Sequence, residues 1–147
     1  RSKSATNLAE LYRKSRAEGF GREVQRRILL GTFVLSARYY DSYYQQAQKV
    51  RTLVRQGMIK IFDQHDYLLM PVAPTTAFRL GEHSSDPVQM YLADLYSVQA
   101  NVAGIPALAV PAGRDRKGLP IGLQILGNDF DEGGLFQFSQ VLLNLGV

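Results

Sequence analysis

Between Tyr40 and Phe62 the apolar residues fall at steps of three and four: Tyr40, Tyr43, Tyr44, Ala47, Val50, Val54, Met58, Ile61 and Phe62. Gln45, Gln46, Lys49, Arg51 and Arg55 fill positions between them, so the pattern predicts one long helix of roughly six turns with an apolar stripe and a polar face. Two shorter helices precede it. "LAELYRKSRAE" follows the capping residues Ser4, Thr6 and Asn7 and should stop at Gly19, a residue free to turn left-handed. "REVQRRILLGTFVLS" begins near Gly21, with Val24, Ile28, Leu29, Phe33 and Leu35 in looser helical spacing.

Beyond Phe62 the rhythm changes. "DYLLMPVAP" is short, apolar and closed by Pro71 and Pro74, which predicts a buried strand leaving its sheet at the prolines. "TTAFRLGEHSSD" reads as loop. Asp86-Pro87 is a cap followed by a proline at the first helical position, and it opens the helix "PVQMYLADLYSVQANVAG", with a break expected near Ser97. "ALAVPAG" and "PIGLQILG" are hairpin strands around a turn at 114–118, and Asp131-Glu132 caps a last helix, "GGLFQFSQVLLNL". Long helices first and strands among helices afterwards give a chain of the α/β or α+β class.

Composition narrows the picture only slightly. The 147 residues, 46% of them apolar and 20% charged, suit one soluble globular domain or a large piece of one. No apolar run reaches the ~20 residues of a membrane span. The absence of cysteine excludes disulfides and thiolate metal sites, which suits a cytoplasmic setting. The opening "RSKSATN" reads as if cut from something longer.

Several side-chain groups invite a chemical reading. His83-Ser84-Ser85-Asp86 holds the residue types of a hydrolytic triad, but triads assemble from separate elements, and loop solvation with helix capping explains four neighbours better. Asp63, His65 and Asp66 match no recognised metal-ligand spacing and sit where a helix-to-strand connection should be polar. Lys3, Arg13, Lys14, Arg16, Arg22, Arg26 and Arg27 make the first quarter basic, a candidate phosphate-binding surface, yet Glu10, Glu18 and Glu23 interrupt it as in a solvated helical face. The tyrosines at 39, 40, 43 and 44 are expected against the core rather than as a stacking platform. Arg27 and Asp94 stand apart: each lies on a helix beside leucines, and a partly buried charge needs a partner. By spacing alone they bind each other or face solvent.

Four stretches together, "SRAEGFGREVQRRILLGTFVLSARYYDSYYQQAQKVRTLV", "PVAPTTAF", "DPVQMYLADLYSVQANVAGIPALAVPAG" and "GLPIGLQILG", resemble the amidase signature enzymes. Within them, the likeness is to the glutamine-hydrolysing A-type subunits of tRNA-dependent amidotransferases. It covers residues 8–143. It implies an α/β chain, residues 1–147 being a C-terminal fragment of a single amidase domain, part of a mixed β-sheet flanked by helices. The family's catalytic serine, cis-serine and lysine lie in a Gly/Ser-rich region that this sequence lacks, so no catalytic residue is expected here. By the same resemblance Arg27 matches the arginine that binds the glutamine α-carboxylate, and Asp94 the aspartate that receives its α-ammonium. It also implies partner subunits B and C and a misacylated tRNA. ATP and magnesium would be used by the partner, with no cofactor or metal in this chain. A general amidase of the same family is one alternative; a non-catalytic tRNA- or partner-binding module is another.

Overall fold

The computed structural model describes residues 1–82 and 86–146, and the chain divides into two compact units, Arg1–Lys49 and Val50–Val147. His83, Ser84 and Ser85 of the triad-like loop lie outside the described residues.

In the first unit α1 (Leu8–Gly19) starts where the capping residues demand. The Asn7 side chain accepts the Glu10 N–H at 2.9 Å, and the Glu10 carboxylate reaches back to the Thr6 N–H at 3.1 Å. One of the helix's orphan donors is thereby matched, and the residue before the cap is tied to the first turn. Gly19 is the last helical residue, but the left-handed turn expected there is absent: Phe20 leaves in an extended conformation. The next helix, α2 (Arg22–Val34), matches its expected range closely. The expected long helix is present with one irregularity. Its first turn, Tyr40–Gln45, is π-helical, and regular α-helix follows as α3 (Gln46–Phe62). A π turn is wider than an α turn and re-aims the side chains around it. Phe33, Tyr39 and Tyr43 cluster there, with 4.1 Å between the Phe33 and Tyr39 ring centroids. The tyrosines do not enter a core, however: Tyr40 is 40% and Tyr43 54% exposed.

The second unit holds the sheet, in the order β1-β3-β2: β1 (Leu68–Pro71), β3 (Pro120–Leu126) and β2 (Ala107–Arg114). Every pairing is antiparallel, with Leu68 and Ala107 both opposite Leu126. The parallel partners of a mixed sheet have no counterpart among the described residues. β1 is therefore an edge strand, alternately half-buried and exposed, rather than the buried strand its apolar run suggests. Proline is tolerated in both edge strands, at Pro71 and Pro111, because an edge leaves one side of its backbone unpaired. The central strand carries proline only at its first residue.

Alternation along β3 sends its side chains to two faces. Leu126 packs with Met58 of α3 and with Ala100, Ala103 and Ile105 on one face; Ile125 packs with Val110 and Leu135 on the other. The helices behind these layers are α3 and α5 (Ser97–Ala103) on the first side and α6 (Glu132–Asn144) on the second. Asp131 caps α6 as expected, accepting the Gly134 N–H, and it also takes the Tyr67 hydroxyl at 3.1 Å. A Cβ on Gly134 would collide with both partners, so this glycine is required by close approach.

Candidate functional site

The helix expected over residues 87–104 with a break near Ser97 is two helices, α4 (Pro87–Leu92) and α5, separated by a turn at 93–96. Asp86 caps the first, accepting the Val88 and Gln89 N–H groups. Asp94 sits in the turn. Its backbone N–H donates to the Tyr91 carbonyl, and its own carbonyl accepts from Val98 N–H at 3.0 Å and from the Ser97 hydroxyl at 3.3 Å. The backbone of Asp94 is thus built into the start of α5, while its side chain is exposed. Among the described residues of its own unit, the carboxylate accepts no hydrogen bond and forms no ion pair.

The turn is held from behind by the sheet. Gln124 stands on the same face of β3 as Leu126, two residues away, and is 6% exposed. A buried amide requires a partner, and its Nε2 donates to the Tyr96 carbonyl at 3.3 Å. The far end of α5 is held by α3. Arg51 Nε donates to the Val102 carbonyl at 3.1 Å and Arg55 Nη1 to the Ala103 carbonyl at 2.8 Å, while Arg55 also pairs with Asp129. Cations at a helix C-terminus satisfy its orphan carbonyls and complement its dipole. Gly104 then ends α5 at φ 72°, a left-handed position suited to glycine.

Beside the turn lies a cleft of about 840 Å³, walled by Leu92, Ala93, Thr76, Phe78, Lys117 and Leu119 among others. Ala93, which lines the cleft, is the residue before Asp94 in the turn. Three of the lining residues are tied to Asp115 in the β2–β3 turn. This carboxylate accepts the Lys117 and Leu119 N–H groups at 2.8 and 2.9 Å and the Thr76 hydroxyl at 2.9 Å. The Leu119 N–H, and after it the Thr76 hydroxyl, hold the Asp115 carboxyl below its ordinary value. Thr76 therefore spends its proton on a structural acceptor. At the other end of the sheet, partial burial and then the neighbouring Asp131 carboxylate push the Tyr67 phenol above its ordinary value, and its ring stacks on Phe138 at 4.7 Å.

Arg27 lies on α2 in the first unit. Its side chain is 66% exposed, and Nε donates to Glu23 Oε1 at 2.9 Å. Glu23 takes Arg26 as well, also at 2.9 Å, and the two guanidinium groups, Arg26 first, hold its carboxyl below the usual range. The partial burial expected for Arg27 is not observed. No side chain of α2 is buried, so nothing lowers the dielectric around the guanidinium, and a glutamate one helical turn earlier satisfies it. Asp63, His65 and Asp66 form no metal-binding group: among the described residues no cluster of three histidine, aspartate or glutamate side chains is arranged to hold an ion.

Of these residues, Gln124, Arg51, Arg55 and Asp115 escape a reading of the sequence. Gln124 does carry a signal, as the one polar residue in an otherwise apolar strand. The arginines carry none, since the polar face of a helix does not say which carbonyls it will meet.

Comparison with known proteins bears on this arrangement. The sequence model of the family described as Amidase matches residues 2–136. The chain is 60% identical over 132 residues to the A subunit of glutamyl-tRNA(Gln) amidotransferase from Geotalea daltonii, covering 90% of this chain and 27% of that protein. It is 54% identical over 145 residues to the protein of the same name from Acidobacterium capsulatum, covering 99% of this chain and 30% of the relative. Among solved structures, the A subunit of glutamyl-tRNA(Gln) amidotransferase from Thermotoga maritima superposes with a TM-score of 0.62 at 44% identity, over 85% of this chain and 27% of that one. The chain thus spans less than a third of the length of these proteins. Among the described residues no helix is long and apolar enough to cross a membrane.

Proposed function

The chain belongs to the amidase family, and we propose that it is part of the carboxy-terminal third of the glutamine-hydrolysing subunit of a tRNA-dependent amidotransferase. The names of relatives 60% and 54% identical to it support this reading. At the level of residues, one observation carries it. Asp94 offers an exposed carboxylate, unpartnered in its own unit, on a turn whose backbone is tied down and whose preceding residue, Ala93, lines a cleft.

Asp94 accepts hydrogen bonds from the α-ammonium of glutamine, and Arg27, released from Glu23, grips the α-carboxylate through its planar fork. Holding both ends of the head group leaves the side-chain amide as the part free to reach a nucleophile. Such positioning converts an encounter between two molecules into an almost unimolecular step. The serine nucleophile and the groups that activate it lie outside these 147 residues, in the same amidase domain. The serine attacks the amide carbon, ammonia departs, and water hydrolyses the resulting acyl-enzyme to glutamate. Ammonia passes to a partner subunit, B, which holds the misacylated tRNA and supplies ATP and magnesium; a further subunit, C, clamps the two together. This chain contributes recognition and no bond-breaking group.

The test is ammonia release. The intact subunit should release ammonia from L-glutamine in preference to a simple aryl amide, and the 147 residues alone should release none above background. Release by these residues alone, or an intact subunit indifferent to glutamine, would overturn the proposal.

A further inference from the structure

We infer that Gln124 is a positioning residue for Asp94, acting from the central strand on the turn that presents the carboxylate. The inference rests on the reading of Asp94 as the acceptor of the substrate ammonium, and it concerns what keeps that acceptor in place.

The turn at 93–96 is a discontinuity, where a helix stops after Leu92 and a new one starts at Ser97. Residues there lack the full set of i→i−4 bonds that would fix their orientation. The Tyr96 carbonyl nevertheless has a donor, the Gln124 amide, which arrives from a different element 28 positions later in the chain. Gln124 is itself immobilised. It is 6% exposed, lies on the strand paired on both sides, and is followed by Ile125 and Leu126, each with no exposed surface. A side chain so enclosed has lost most of its rotamer freedom, so the oxygen it binds is held in place with it.

The remainder of α5 transmits this fixation. Arg51 and Arg55 hold the last carbonyls of α5 from α3, and the first turn of α5 is bonded to the Asp94 carbonyl. The seven-residue helix is therefore clamped at its far end by two guanidinium groups and at its near end through Tyr96 by Gln124. Asp94 stands two residues before Tyr96. Losing the Gln124 donor would remove the bond that ties the Tyr96 carbonyl to the sheet and release the turn to shift. An apolar residue of the same length would pack equally well in the sheet and still lose the bond.

The experiment is steady-state glutamine hydrolysis by the intact subunit carrying Gln124→Met, Asp94→Asn, or both. Gln124→Met should raise KM for glutamine about tenfold with kcat nearly unchanged, the loss expected when one net hydrogen bond no longer organises a binding group. Asp94→Asn should raise KM further, and the double variant should be no worse than Asp94→Asn alone, since two residues acting through one contact are not additive. An unchanged KM in Gln124→Met, or a double variant whose KM rises by the product of the two single effects, would overturn the inference while leaving Asp94 in its role. An unchanged KM in Asp94→Asn would instead remove the reading of Asp94, and this inference with it. Should Gln124→Met fail to fold, Gln124→Glu, of equal length but without the donor, takes its place under the same criteria. A lowered melting temperature with KM unmoved would assign Gln124 to stability alone and overturn the inference.

Discussion

The first unit leaves its apolar side chains in solvent, and the second encloses them. Among the described residues up to Lys49, Ser2 alone is buried, while Ile28, Leu29, Leu30 and Phe33 of α2 are between 46% and 71% exposed. From Val50 onward two clusters close around opposite faces of a three-stranded sheet, and Ile125 and Leu126 have no exposed surface. Charge divides in the same place. The first unit carries ten lysines and arginines against four acidic residues, the second seven against nine. A helix pattern written for burial is a statement about a partner. In the second unit the partner is present, whereas in the first no described residue of that unit supplies it.

The sharpest way to break the comparison is to truncate one apolar residue in each unit. Ile125→Ala should cost about 3–4 kcal/mol in urea unfolding, the loss of a buried side chain plus its cavity. Leu29→Ala, at 71% exposure, should stay within about 0.5 kcal/mol in this chain. If these residues belong to one larger domain, as proposed, Leu29→Ala should become clearly destabilising in the intact subunit. Equal losses for the two variants in this chain would erase the distinction.

Glycines sharpen it next. Gly104→Ala forces a side chain into the left-handed position that ends α5 and should cost about 1–2 kcal/mol. Gly31→Ala, inside α2 with open space around it, should stabilise by about 0.5–1 kcal/mol through helix propensity, read as a rise in thermal midpoint. A cap follows. Asn7→Ala removes the acceptor for the Glu10 N–H and should cost about 1 kcal/mol of α1 stability, measured by helical circular dichroism on heating.

The smallest expected effect depends on pH. Asp115 has its folded value lowered beneath its ordinary 3.8, so the charged form is the one the turn stabilises. Its contribution is complete above 3.8, fades as the pH falls through the lowered value, and is absent in Asp115→Asn. Stability of the two proteins should therefore converge in acid, and a constant difference down to the most acidic sample would contradict this.

Much of the second unit is legible in the sequence because local chemistry and packing agree there. Asp86-Pro87 and Asp131 cap the helices they precede, and the "ALAVPAG" and "PIGLQILG" runs pair as strands. The misreadings share one cause, that periodicity reports which residues are apolar and not what covers them. Their pattern puts Tyr40, Tyr43 and Arg27 at a core edge, yet all three are exposed, and the described residues of their own unit bury no apolar side chain. The apolar run of β1 suggests burial, yet its neighbour stands on one side only. Gln124 is easily passed over because its meaning depends on a carbonyl 28 residues away. Arg27 and Asp94 stand apart in the sequence as helical charges beside apolar residues, but their roles come only from resemblance to a family.

The account stands on the recognition of a free amino acid's head group, and three amides test that directly on the intact subunit: L-glutamine, glutaramate without the amine, and 4-aminobutanamide without the carboxylate. Wild type should prefer glutamine to each analogue by roughly 10–150-fold in kcat/KM, the worth of one charged hydrogen bond. Asp94→Asn should abolish the preference over glutaramate alone, and Arg27→Met the preference over 4-aminobutanamide alone. Variants that slow all three amides by a common factor would contradict it.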